Sequence, residues 1–169
     1  DYYCDWSSDV CSSDLVYYMD LGNYLYKNRE FHQSASYFKN IRMYSLYEDD
    51  DQLASYSIYG EAKCYIQMKK YEDAYKVANK LVNLIDSVND LVDRAKMYKL
   101  LAILSLKMSD GKFSEYEKQS YKFYGEEKNH CAKAILDFAC TMFSVGHNEE
   151  AIEYIKKAID MYQIGRAHV

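Results

Sequence analysis

Proline is absent from all 169 residues of this chain, and glycine occurs only six times. Proline ends helices by removing a backbone donor, and glycine by adding backbone freedom, so a chain this poor in both has little to interrupt helical winding. The interruptions that remain are short and fairly regular. They are Lys27-Asn28-Arg29-Glu30, Glu48-Asp49-Asp50-Asp51, Lys69-Lys70, residues 87–90, Ser109-Asp110-Gly111-Lys112, residues 125–129 and Gly146-His147-Asn148. Between them lie eight segments that can wind as helices. Connections this short oblige consecutive helices to pack antiparallel, which predicts an all-α fold of four helix hairpins.

The second helix of the hairpins carries a repeated pattern. Lys-Tyr-Glu-Asp-Ala at 70–74, continuing to Ala78 and Leu81, is matched by His-Asn-Glu-Glu-Ala at 147–151, continuing to Ile155 and Ala158. Glu-Phe-His-Gln-Ser at 30–34, followed by Phe38 and Ile41, repeats it again. In each case the small residue and those four and seven places later form one apolar stripe. On these residues the chain resembles the tetratricopeptide repeat. That family pairs two helices, with a small residue in the first, an aromatic or Asn just after the turn, and a small residue where the second helix crosses the first. Gly22, Phe31 and Ser34 take those places in repeat one, and Ala62, Tyr71 and Ala74 in repeat two. Repeat four fits most fully, through Ile135, Phe138, Ala139, Met142, Gly146, Ala151 and Ala158. Repeat three, about residues 93–123, offers Ala102 and Ser120 but has Tyr116 at the expected small site. The resemblance implies an α-solenoid of about four tetratricopeptide-like hairpins.

Two departures from that family stand out. Ser34 and Ala74 are 40 residues apart and Ala74 and Ala151 are 77 apart, longer than the ~34-residue standard repeat. The family's proline after the second helix is also missing. The turns must instead come from residues such as the acidic run at 48–51, whose carboxylates can cap the next helix.

Residues 1–15 and 164–169 share neither periodicity nor composition with the stretch between them. Asp-Val-Cys-Ser-Ser-Asp at 9–14 back-translates as GAC GTG TGC TCT TCC GAT, whose reverse complement reads Ile-Gly-Arg-Ala-His-Val, the sequence of 164–169. Both ends resemble translated sequencing adapter. They are therefore expected to be foreign, with residues 16–163 a fragment of a longer helical-repeat protein. Without them Trp6, Cys4, Cys11 and His168 leave the inventory. So do Asp1, Asp5, Asp9, Asp14 and Arg166, which brings the net charge from −5 to −2.

Near-neutral charge with interspersed signs gives no basic stripe for nucleic acid and no patch for an anionic membrane. Apolar runs such as residues 100–104 fall far short of the ~20 residues of a membrane span. Cys64, Cys131 and Cys140 sit among apolar helical positions and are odd in number, which suggests buried free thiols and a reducing, cytoplasmic setting. The abundance of Tyr, Lys, Asn and Ile suggests AT-rich DNA, as in a low-GC bacterium or its phage.

His130, Cys131, Cys140 and His147 are the one cluster of potential metal ligands. Nine residues of helix place Cys131 and Cys140 on opposite faces, so no metal is expected. The acidic run at 48–51 lacks the Gly and terminal Glu of a calcium loop. No phosphate loop or nucleophile set has an interpretable spacing, so neither cofactor nor catalysis is expected, and the chain reads as a non-enzyme. Paired carboxylates at Glu126-Glu127 and Glu149-Glu150 suit helix starts, where the dipole favours negative charge.

In the family the first helix of each hairpin builds the inner face. The resemblance therefore implies ligand contact at Asn23, Tyr26 and Lys27, at Tyr59, Lys63 and Gln67, and at Lys133, Leu136, Asp137 and Phe143. Asn23 and Lys63 are similar to parts of the clamp with which some members hold a C-terminal carboxylate. Met19 and Gly60 stand where that clamp wants basic or amide groups, which argues against a chaperone-tail receptor. The expected function is a protein- or peptide-binding scaffold. The alternative is the peptide-sensing half of a bacterial or phage regulator, since the long, proline-free repeats are similar to those of intracellular pheromone receptors.

Overall fold

One kind of turn ends five of the helices. Arg29, Asp49, Lys69, Ser109 and Gly146 each hold a left-handed backbone, with φ between 54° and 88°. The amide of the next residue then reaches back five places, Glu30 to Leu25, Asp50 to Ser45, Lys70 to Tyr65, Asp110 to Ser105 and His147 to Met142. Such a bond satisfies a carbonyl that the helix end would otherwise orphan, and it reverses the chain without proline.

A computed structural model describes residues 12–166, with side chains for 14–163. Its helices are α1 (Ser12–Lys27), α2 (Phe31–Tyr47), α3 (Asp51–Gln67), α4 (Tyr71–Ala78), α5 (Leu91–Met108), α6 (Phe113–Tyr124), α7 (Lys128–Ser144) and α8 (Asn148–Arg166). Among the described residues there is no strand. The all-α fold and the seven breaks are those expected from the sequence. Helix α1 starts before residue 16 and α8 continues past 163, and Leu15 is buried. Residues 1–11 and 167–169, which make up most of the expected foreign ends, lie outside the described residues.

The long spacing has a local cause. The residues preceding α2, α3, α4 and α5 are Glu30, Asp50, Lys70 and Asp90, so each helix and its turn occupy 20 residues. Asp50 and Asp90 cap their helices directly, accepting from the amides of Leu53 (3.0 Å) and Asp93 (2.9 Å). The acidic run thus does the capping expected of it.

Helix α4 is shorter than the pattern predicts. It gives way after Ala78 to two 3₁₀ segments, Asn79–Asn83 and Ile85–Ser87. Asn79, Asn83, Asp86 and Ser87 have short polar side chains that compete with the helical backbone, and Ser87 Oγ donates to Leu84 O at 2.6 Å. The tighter winding still turns Ala78, Leu81, Ile85 and Val88 into the core, all at most 1% exposed. Arg94 on α5 fixes the end of this segment by donating to the carbonyls of Asp86 (2.8 Å) and Val88 (2.7 Å).

Each helix packs chiefly on its neighbours in sequence, with the α2–α3, α5–α6 and α7–α8 contacts the most extensive, and α1 also touches α3 and α5 touches α7. The crossing residues Ser34, Ala74 and Ala151 are fully buried, as is Ser120 further along α6. Ser34 Oγ donates to Gly22 O at 2.7 Å, tying α2 to α1. Phe38 of α2 lies between two glycines. A Cβ added at Gly22 would meet its ring at 3.0 Å and one at Gly60 at 2.7 Å, so α1 and α3 approach α2 closely only because neither has a side chain there.

The sequence gives no warning of an ion pair that joins α2 to α3. Arg42 Nε donates to Glu61 Oε2 at 2.7 Å and a second guanidinium nitrogen donates to Oε1 at 3.3 Å, with Glu61 only 1% exposed. Tyr116, a large residue at a small site, is buried against Tyr98. The third hairpin takes up that bulk with aromatic packing, Tyr98 stacking on Phe123 at 5.6 Å.

Candidate binding groove

Alternate helices share one face of the array. A cavity of about 310 Å³ opens there, lined by Met19 and Asn23 of α1, by Tyr56, Tyr59, Gly60 and Lys63 of α3, and by Asp93, Lys96 and Met97 of α5. Spacings of three, four and seven residues put each helix's contribution on a single stripe. Because α2 and α4 fold away between them, α1, α3 and α5 can present these stripes side by side.

Lys63 lines the groove from α3. Its Nζ sits 4.8 Å from the Tyr26 ring centroid and 4.6 Å from that of Tyr59, so two aromatic faces flank the ammonium. It forms no salt bridge among the described residues. Burial lowers the Lys63 amine from its ordinary value, and Lys96 and Lys99 add to that, while Cys64 and Asp93 oppose it. A partly desolvated cation with ring faces and no carboxylate is energetically ready for an anionic or carbonyl group.

The α5 side of the groove is neutralised internally. Asp93 accepts from Tyr56 OH at 2.9 Å and from Lys96 Nζ at 3.2 Å. Burial first, then that hydrogen bond and the charge of Asp93, push the Tyr56 phenol up to about 12. Burial likewise keeps Tyr59 protonated well above the usual phenol range. Both are neutral hydroxyls at physiological pH. The groove therefore offers apolar surface from Met19 and the tyrosine rings, the Tyr56 hydroxyl held by Asp93, and the Lys63 ammonium.

Of the residues expected to contact a ligand, Asn23, Tyr59 and Lys63 line this cavity, and Tyr26 flanks Lys63. Gln67 hydrogen-bonds the Tyr26 side chain and is itself exposed. Lys27 is exposed at the end of α1. The α7 residues are not gathered with them. Asp137 is held by Lys99 of α5 at 2.7 Å, Leu136 is half-buried, and Lys133 and Phe143 are exposed. Tyr56, Asp93, Lys96 and Met97 line the cavity without having been singled out. The i, i+3, i+4 spacing around Tyr59 and Lys63 is the signal that points to Tyr56, and its transfer to α5 required knowing where α5 begins.

The thiols need one correction. Cys64 and Cys131 are buried, with Cys64 donating to Ser34 Oγ at 3.2 Å, but Cys140 is exposed. It falls on the opposite side of α7 from the buried Cys131, as nine residues of helix require. Among the described residues no group of His, Cys, Asp or Glu converges as a metal site, and no helix is long and apolar enough to cross a membrane.

Among the described residues, the class that the fold defines is an all-helical one, with eight α-helices packed in adjacent pairs. No protein-family model matches the sequence, and none of the curated proteins compared with it is similar.

Proposed function

We propose that this chain is a tetratricopeptide-like interaction scaffold, which holds a peptide or a partner's helix in the groove across α1, α3 and α5. The observation that carries the reading is Lys63. An ammonium set between Tyr26 and Tyr59, facing an open cavity and lacking a carboxylate, incurs desolvation without an ion pair of its own. A ligand that brings an acidic or carbonyl group removes that deficit, while Met19 and Tyr59 supply apolar contact. Repeating hairpins support the same reading, because stacked pairs generate an extended surface from equivalent helices.

Selection of peptides from a displayed random library against the full chain tests the proposal. The enriched peptides are expected to share an acidic position among apolar ones. Their affinity should fall by about tenfold or more, roughly 1.4 kcal/mol, in Lys63→Met, with the melting temperature little changed. Enriched peptides that bind Lys63→Met and Asn23→Ala as tightly as the parent chain would overturn the groove assignment.

A further inference from the structure

Lys96 donates to Asp93 at 3.2 Å, Lys99 to Asp137 at 2.7 Å and Lys156 to Glu153 at 3.0 Å. A carboxylate at that range keeps an ammonium charged and occupies its nitrogen. Lys63 has no such partner among the described residues. Its Nζ lies instead against the Tyr26 and Tyr59 rings, 4.8 Å and 4.6 Å from their centroids.

Ring contact alone does not set Lys63 apart. Lys157 Nζ lies 5.1 Å and 5.8 Å from the Tyr121 and Tyr154 centroids, but its side chain is exposed. Lys63 is half-buried and lines the cavity of about 310 Å³ with Met19, Asn23 and Lys96. That space is several times the ~30 Å³ share of one water molecule. A small organic molecule fits beside the nitrogen.

The charged and titratable groups that act on this amine come from two helices. Cys64 follows it on α3, and Asp93, Lys96 and Lys99 belong to α5. Burial is the largest influence and lowers the amine; Lys96 and Lys99 act in the same direction, while Cys64 and Asp93 oppose them. Asp93 is itself shared between Tyr56 and Lys96. A lysine that is desolvated and set near other cations holds more of its nitrogen as free amine, the form that attacks a carbonyl carbon.

We propose that Lys63 Nζ is a covalent site for small aldehydes and ketones, which enter the groove and form an imine with it. The nitrogen lone pair attacks the carbonyl carbon, and a proton moves from nitrogen to oxygen. The resulting carbinolamine loses water to leave a C=N bond, so amine and carbonyl compound give imine and one water, with no oxidant or reductant consumed. The flat imine then packs between the Tyr26 and Tyr59 faces where the ammonium had been. The inference rests on the cavity and the unpaired amine, and not on a bound peptide.

Brief treatment of the full chain at about pH 7 with limiting propanal and cyanoborohydride, which traps the imine as a secondary amine, provides the test. Peptide mass spectrometry then gives the labelling rate at each lysine. Lys63 should label about threefold or more faster than the exposed Lys27 and Lys157. In urea that preference should vanish, because the unfolded chain has no cavity. Equal or slower labelling of Lys63 in the folded chain, or a preference that persists in urea, would overturn the inference. Labelling is read without peptide, so its failure leaves the scaffold reading standing, and failure of the peptide selection leaves this result standing.

Discussion

Arg42 and Glu61 set the clearest energetic stake at the level of single residues. The pair is bidentate and Glu61 is almost wholly buried, so truncating the arginine strands a carboxylate away from water. Arg42→Met should cost about 3–5 kcal/mol in urea unfolding. The double variant Arg42→Met/Glu61→Leu should recover most of that loss, because a well-packed apolar pair often equals or exceeds a buried ion pair. A loss under about 1 kcal/mol for the single variant would mean that Glu61 reaches solvent after all. This pair could not be read from the sequence. Its partners lie 19 residues apart on different helices, and neither belongs to a motif. Gly22 and Ser34, by contrast, were legible because close helix approach demands small residues at a fixed place on the stripe. Gly60 was legible only as a departure from a binding clamp. Its packing role, leaving room for Phe38, depends on a contact that no local pattern encodes.

The turns explain, at the level of elements, how hairpins form without proline and why some stability is left unused. Arg29, Asp49, Lys69 and Ser109 occupy a left-handed conformation that disfavours residues with a Cβ, whereas Gly146 does so freely. Lys69→Gly is the cleanest probe, since the side chain is exposed and makes no ion pair among the described residues. Relief of the strain outweighs the added freedom of the unfolded chain, so the variant should be more stable by about 0.5–1 kcal/mol. A destabilised Lys69→Gly would show that the lysine side chain contributes to the turn. Helix positions were legible from the breaks because helix-ending chemistry is local. The switch of α4 to 3₁₀ winding after Ala78 was not. The stripe Ala74, Ala78, Leu81 continues unbroken into the segment, and hydrophobic periodicity alone does not separate the two helix types over so few residues.

The many half-buried and buried phenols give the whole molecule a distinctive alkaline limit. Burial raises Tyr59, Tyr121, Tyr124 and Tyr154 far above the ordinary value, and burial together with Asp93 raises Tyr56 to about 12. A group whose folded-state value is raised contributes stability that is complete below the unfolded value and lost as pH rises through the folded one. Lys63, whose amine is lowered by burial, works in the opposite sense, but Tyr26, Tyr65, Tyr98 and Tyr116 are raised as well and outweigh it together with those five. The melting temperature should therefore stay level to about pH 9.5 and fall steeply above about pH 10. A level or rising melting temperature between about pH 10 and 11.5 would contradict the assignment of those tyrosines to packing.

The groove was partly legible at this scale. The family resemblance named Asn23, Tyr59 and Lys63 across two helices, and these three line one cavity. The contribution of α5 depended on how the shortened α4 delivers the next helix, and α7 spends Asp137 on Lys99. The most direct measurement of the central claim is amide chemical-shift mapping of the full chain titrated with a library-selected peptide. The account predicts that the largest shifts fall on residues 19–26, 56–63 and 93–97, with α2 and α6 largely unperturbed. Shifts concentrated on α2, α6 or α8, with residues 56–63 unmoved, would contradict it.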